Sequence, residues 1–516
     1  MQFLHAHLLS VVIFFPMLSA LLAFFMSDQA SRAYAIVIAL IELLLILLLW
    51  HGFDIQKTGM QFEEQFEEMK ELVYQIGVNY HVGVDGIALF LLLLNAIVVL
   101  LSVIYVKERR KDFAICLLLL EGILMGVFSS LNVIFFYAFW EISLLPVLYL
   151  IGRFGRNNKI YSGMKFFLYT FLASLCMLLG ILYIGYYYAS NYGMMSFDIL
   201  DWYQLNFSSG VKTWLFVAFL IGIAVKIPLF PLHTWLPYAY SNAPTLGSVM
   251  LSALLSKMGT YALLRFLLPL FPELSEIYLT PIAIVALCMI IYGGFLAYAQ
   301  KDLKTLIAYS SFSHMGVVVL GVFSFNVEGV SGAVFMMFAH GIIVMGLFLL
   351  AGILEERASS LEIARFGSIA KSAPVFAAFF MIVLMANVGM PLSIGFVGEF
   401  LSLLGFFATY PLLAIIAGTS IILSAVYMLT SYKDVFFGNL KAGNNQISVF
   451  EDLNAREVGV LSVILALILI LGIYPKALLK PIEQGSKQLL EVIEIRSLPF
   501  LGSLDTKIKE VSYVNR

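Results

Sequence analysis

The sequence predicts an all-α polytopic membrane protein that crosses the bilayer about 14 times. Three observations predict it. Hydrophobic residues make up 61% of the 516 and charged residues 12%, with a mean hydropathy of +0.97. Apolar runs of about 20 residues, the length that spans a hydrocarbon core as helix, recur from end to end. The lysines and arginines between the runs are concentrated on alternate connections.

In chain order, spans 1–3 are Leu4–Phe25, Tyr34–Trp50 and Gly86–Val106. Span 1 has no basic start and no small-residue cleavage site, so it reads as a retained membrane helix and not a signal peptide. Spans 4–8 are Phe113–Ser129, Val133–Ile151, Gly163–Tyr188, Thr213–Tyr240 and Leu246–Leu270; span 7 is overlong and interrupted by Pro228, Pro231 and Pro237. Spans 9–13 are Leu279–Ala299, Leu303–Phe323, Val330–Leu354, Ala373–Thr409 and Leu412–Phe436; span 12 is overlong and broken at Gly389-Met390-Pro391. Span 14 is Val458–Ile473, with a tail of about 40 residues after it. These divide into a three-span N-terminal part (1–111), a first repeat (112–272), a second (273–437) and the last span with its tail (438–516).

Connections after odd-numbered spans carry seventeen basic residues, among them Arg32, Lys107, Arg153, Lys301, Arg365 and Lys433; the even connections carry Lys57, Lys70 and Lys212. The positive-inside rule places the odd connections in the cytoplasm and both termini on the outer, periplasmic side of a bacterial inner membrane. The acidic stretch Gln61 to Glu71, with Phe62, Phe66 and Met69 at helical spacing, reads as a short surface helix with a solvated acidic face. Cys116, Cys176 and Cys288 stand alone in separate spans, and neither a nucleotide-binding loop nor a metal-ligand pattern occurs. The chain itself is expected to hold no cofactor, metal or nucleic acid.

Four ionisable side chains sit inside apolar runs: Glu141 in span 5, Lys226 in span 7, Lys257 in span 8 and Glu399 in span 12. A charge at the centre of a bilayer costs roughly 2.5–3.5 kcal/mol on insertion scales, so such residues face protein or a wet cavity and mark ion pathways. Low dielectric disfavours an ammonium, and a nearby carboxylate restores it, which suits Lys226 to a switch. Pro228 opens the helix beside it. Imidazole titrates near neutral pH, so His314 and His340, in spans 10 and 11, are candidate relays. His233, in the break of span 7, is a third candidate or a prop for the unwound turn. Arg265 reads as a side chain snorkelling to the interface, and Lys301, Asp302 and Lys304 as a cytoplasmic loop cluster, with Lys304 alternatively feeding a channel mouth. Glu141 to His314 and Lys226 to Glu399 are each 173 residues apart. Groups of five spans, 4–8 and 9–13, with a broken helix in each, match the inverted-repeat design of transporters.

At these residues the chain resembles the antiporter-like subunits of proton-pumping NADH:quinone oxidoreductase (complex I) and their Mrp-type relatives. The resemblance rests on Ala224 to Phe266, Leu306 to Gly316, Ala339 to Gly341, Phe139 to Glu141 and Gly395 to Phe400. It implies that Glu141, Lys226, Lys257 and Glu399 form a central proton axis, with uptake toward Lys257, transfer through His314 and His340 toward Glu399, and the Glu141–Lys226 pair as gate. Glutamate in span 12, where sister subunits typically carry lysine, resembles the M-type branch (chain 4 in mitochondria). The resemblance also implies partners: other membrane subunits, including neighbouring antiporter-like chains and the lateral helix of an L-type subunit, within the lipid bilayer. NAD, FMN, iron–sulfur clusters and quinone are implied on partner subunits. Tyr238 and Tyr240 replace the Asp and His usual after the broken helix, and Leu392-Ser393 replaces a Gly-Thr, which puts the local proton entry in doubt. The alternatives are a subunit of an Mrp-type antiporter or membrane-bound hydrogenase, and a non-pumping scaffold.

Overall fold

The computed structural model describes residues 7–65, 77–107, 110–156, 158–437 and 450–514, with side chains as far as 497. Twelve of the described helices are long and apolar enough to cross a membrane, and Leu8–Phe24, Pro374–Val388 and Ile394–Thr409 are shorter apolar helices. With no water in a bilayer core, backbone groups must pair within the segment, which makes helix the default for such runs. The start of each helix still needs acceptors for its first N–H groups. Asp85, Asn132, Asp302 and Asn326 supply them for Gly86–Tyr105, Val133–Ile142, Leu303–Val322 and Val327–Ala358. Asn454 and Glu457 form a reciprocal capping box at Ala455–Ile473.

The apolar spans divide by packing. Thr245–Leu270 and Val327–Ala358 are buried throughout their apolar windows, and Gly86–Tyr105 and Leu303–Val322 nearly so. Asp28–Gly52, Pro411–Phe436 and Ala455–Ile473 form the rim, buried over a third of the window or less. The ionisable residues of spans 8, 10 and 11 therefore lie at the centre of the bundle.

Several helices are interrupted. Span 5 is two pieces, Val133–Ile142 and Leu144–Phe154, meeting at Ser143. Span 7 ends as regular helix at Lys226 and resumes as Leu236–Asn242. Span 12 breaks between Pro374–Val388 and Ile394–Thr409, where Gly389 takes φ +82°. Span 8 contains two π-helical stretches, Leu251–Leu255 and Leu263–Leu267, on either side of Ser256–Ala262.

Connections segregate onto two faces. Asp302 bridges Glu362, Lys107 pairs with Glu356, and Arg156 pairs with Asp302 and Glu355, all at odd connections. At the opposite ends, Val82 bridges Ser130 and Asn132 bridges Asp198, all in even connections.

The acidic stretch corrects the sequence reading. Gln61–Gln65 is a strand, β1, paired antiparallel with His81–Val84, β2. Glu64 is buried, not solvated: it accepts from the backbone of Leu9 (2.6 Å) and from Ser10, tying the hairpin to span 1. Those free N–H groups at a helix start outcompete water for the carboxylate. Phe66, Met69 and the remainder to Glu71 lie outside the described residues.

The tail is helical, Lys476–Val514. It lies across the even-connection face, where Gln488 reaches Lys57 O and Arg496 reaches Leu205 O and Leu270 O. It crosses the start of span 3 at Gly86, where a Cβ would meet Pro481 O at 1.9 Å. Only glycine permits that approach.

Candidate functional site

Lys226 is the last helical residue before the break in span 7 and is 2% exposed. Its Nζ has no hydrogen-bond partner and lies 5.0 Å from the centroid of the Trp140 ring. Trp140 precedes Glu141 in sequence, so span 5 delivers the aromatic face and the carboxylate together. The Glu141 oxygens are enclosed without a hydrogen bond of good geometry, beside Ser174 and Tyr137. The two charges act on each other without direct contact, the arrangement of a separated pair.

Lys257 lies between the two π stretches and is 1% exposed. Ser248, Ser252 and Ser256 recur every four residues, so their hydroxyls align on one face. Each bonds back to a carbonyl: Tyr240, Ser248 and Ser252 respectively, the latter two one turn earlier on the same helix. Lys257 Nζ donates to Ser252 O at 2.6 Å and lies 2.7 Å from His340 Nδ1. The His340 and His314 rings are 5.8 Å apart between centroids.

One turn before His314, Ser310 Oγ accepts from Asn387 Nδ2 and Tyr427 OH, both at 3.0 Å. Tyr427 feels the charge of Glu399. Glu399 is 1% exposed and accepts from Ser420 Oγ at 2.6 Å, leaving Oε2 unpaired. A Cβ on Gly389 would come within 3.0 Å of that oxygen, so the span-12 break opens directly onto Glu399. The arrangement can pass a proton from Lys257 through His340, then His314, toward Glu399. Imidazoles and hydroxyls both donate and accept, as a relay needs.

His233 stands apart from this track. It stacks on Phe312 at 4.5 Å and packs with Phe230 and Tyr292, a prop for the unwound turn. Arg265 does not snorkel: it is 5% exposed, pairs with Asp85 at 2.8 Å and donates to Tyr261 OH. An arginine drawn inward needs a desolvated counter-ion, and Asp85 lies beyond the periodicity of span 8. Nor is Lys304 a loop residue. It is 1% exposed and pairs with Glu355 at 2.9 Å, which also binds Arg156. These three line a cavity of about 350 Å³ on the odd-connection face, together with Lys107, Thr245 and Glu356. Tyr240 is fully buried and donates to Leu251 O, whereas Tyr238 is exposed beneath Lys165.

Sequence reasoning missed Glu42 and Glu121, both 0% exposed in mid-span, although each interrupts an apolar run as plainly as Glu141 does. Ser310, Asn387 and Tyr427 gave no such signal, since polar neutral residues are common in membrane helices. Among the described residues, no three His, Cys, Asp or Glu converge to hold a metal ion.

Residues 130–424 match the model of the family described as NADH:quinone oxidoreductase/Mrp antiporter, transmembrane. The chain belongs to that family. NADH-quinone oxidoreductase subunit M of Rickettsia prowazekii (strain Madrid E) is 39% identical over 495 residues, covering 94% of this chain and 98% of that one. The protein of the same name from Rhodobacter capsulatus is 40% identical over 488 residues, covering 91% and 93%. Among solved structures, a chain of respiratory complex I from Thermus thermophilus with bound NADH superimposes with TM-score 0.83 at 32% identity, covering 93% of this chain and 99% of that one. A chain of the Mrp complex from Dietzia sp. DQ12-45-1b shares the fold at TM-score 0.81 and 19% identity, covering 95% and 99%. Glu141, Lys226, Lys257, His314, His340 and Glu399 all fall inside the segment that matches this antiporter family.

Proposed function

We propose that this chain is the M-type proton-translocating membrane subunit of an NADH:quinone oxidoreductase, pumping protons while partner subunits carry the redox chemistry. The observation that carries the reading is the enclosed run Lys257–His340–His314, ending toward Glu399, beside a lysine held apart from its glutamate. A scaffold gains nothing from unpaired ionisable groups in its core, each of which costs stability.

Protons enter from the cavity at Lys304, Glu355 and Arg156 and reach Lys257 along the hydroxyl row Ser248, Ser252 and Ser256. Tyr240, held by Leu251 O, fills the position where relatives carry His, which leaves the cavity as the entry. From Lys257 the proton passes to His340, then His314, then Glu399. Closure of Glu141 onto Lys226 stabilises the ammonium, and separation releases its proton. His233 positions the break. The chain holds no cofactor; NAD, FMN, iron–sulfur clusters and quinone belong to partners, and neighbouring antiporter-like subunits and an L-type lateral helix pack beside it.

We read fourteen spans in the inner membrane, both termini outside, in the four segments 1–111, 112–272, 273–437 and 438–516. Spans 4–8 and 9–13 form inverted repeats by element order. The equal 173-residue spacings are not a strict register, because the break follows Lys226 in span 7 but precedes Glu399 in span 12.

The test is proton uptake in inverted vesicles carrying the whole complex. Glu141→Ala and Lys226→Ala each remove a buried charge, so the complex assembles and pumping is severely reduced. A normal proton-to-electron ratio in either assembled variant would leave the scaffold reading in place.

A further inference from the structure

Glu42 and Glu121 lie outside the residues matched to the antiporter family and outside the proton track. Glu42 belongs to the inward stripe of span 2 (Ala35, Ile38, Ala39, Glu42, Ile46, Leu49), while Leu40, Ile41 and Leu44 face out. Glu121 sits in the middle of span 4. Both are 0% exposed, and among the described residues none of their four carboxylate oxygens has a hydrogen-bond partner. Spans 2 and 4 pack against each other, which brings the two carboxylates to one helix contact.

Among the described residues, no base forms a salt bridge or hydrogen bond with either carboxylate. Span 1 contributes no ionisable group to this contact, and span 3 contributes Asn95, whose Nδ2 holds Glu121 O at 2.8 Å while its Oδ1 stays unpaired. Arg32 and His51 sit toward the ends of span 2, Tyr105 at the end of span 3, and Lys111 and Asp112 at the start of span 4. The buried Cys116 thiol is five residues before Glu121. Lys257, on the facing helix, is engaged by Ser252 and His340. Two neighbouring carboxylates in an apolar setting cannot both stay ionised, and with no cation paired to them among the described residues, protons are what stabilise them.

We propose that Glu42 and Glu121 form a buried proton-binding dyad, a site separate from the antiporter-type track that holds at least one proton at neutral pH. Proton binding here converts a carboxylate to the neutral acid, with hydronium leaving water behind and no other group transferred.

The test uses the assembled complex in native membranes at pH 7. Infrared spectra should contain a carbonyl band of protonated carboxyl that weakens in Glu42→Gln or Glu121→Gln and disappears in the double variant. Dicyclohexylcarbodiimide takes the acid's proton on nitrogen while the carboxyl oxygen attacks its central carbon. Rearrangement gives an N-acylurea that retains the whole reagent, so mass spectrometry should find that full added mass on Glu42 or Glu121. An unchanged infrared band in the double variant overturns the proposal. So does labelling that sodium ions suppress at constant pH, which would make this a cation site instead.

Discussion

Lys257 Nζ and His340 Nδ1 meet at 2.7 Å, and His340 Nε2 has no partner. When the amine donates to Nδ1, a neutral imidazole carries its own proton on Nε2, on the other side of the ring. A proton gained at Nδ1 is then matched by one lost at Nε2, and His314 is the next imidazole along. This geometry supports His340 as a coupler in the proposed route. His340→Gln keeps polarity and bulk but cannot shuttle a proton. We expect NADH-driven pumping in vesicles to fall by about tenfold or more, within the range for losing a proton-transfer group. Wild-type pumping in that variant would remove His340 from the route.

Glu399 is held by Ser420 with one oxygen free beside the span-12 break. A carrier must bind and release a proton at that spot. Glu399→Asp keeps a carboxyl on a shorter arm and should retain partial pumping; Glu399→Gln preserves shape without a titratable group and should retain little. Equal pumping by Gln and wild type would make Glu399 structural.

Arg265 and Asp85 form a buried pair 2.8 Å apart, each about 5% exposed, and Asp85 also caps span 3. Removing one partner strands the other charge. Arg265→Met should destabilise the protein by about 3–5 kcal/mol. Adding Asp85→Asn, which retains an N-cap side chain, should restore part of that. Thermal unfolding of the detergent-solubilised protein reads both; no difference between single and double variants would mean that the pair is not coupled.

The proposed sidedness rests on seventeen basic residues in odd connections against three in even ones. The tail helix reaches the even-connection face through Gln488 and Arg496, so it shares that side. Cysteines introduced at Thr58 and Lys487 should react with a membrane-impermeant thiol reagent in spheroplasts, and one at Lys301 should not. Labelling at Lys301 alone would invert the topology and exchange the uptake and release sides.

The sequence by itself determined the class, the helical spans, their alternation of charge and the mid-membrane residues Glu141, Lys226, Lys257 and Glu399. Those properties are local: about 20 apolar residues must be helix in lipid, and a charge inside such a run stands out without a partner being known. Only tertiary structure decided the partners. The stretch read as helix from Phe62, Phe66 and Met69 opens instead as a strand, Gln61–Gln65, because His81–Val84 and the start of span 1 offer it hydrogen bonds from elsewhere in the chain. Arg265 and Lys304 turn inward because Asp85 and Glu355, 180 and 51 residues away, neutralise them. The order His340 before His314, and the Ser310–Tyr427–Asn387 link toward Glu399, arise where spans 10, 11, 12 and 13 meet. Pairing energies between distant residues leave no periodic trace along the chain, so the axis is legible in sequence while the wiring between its members is not.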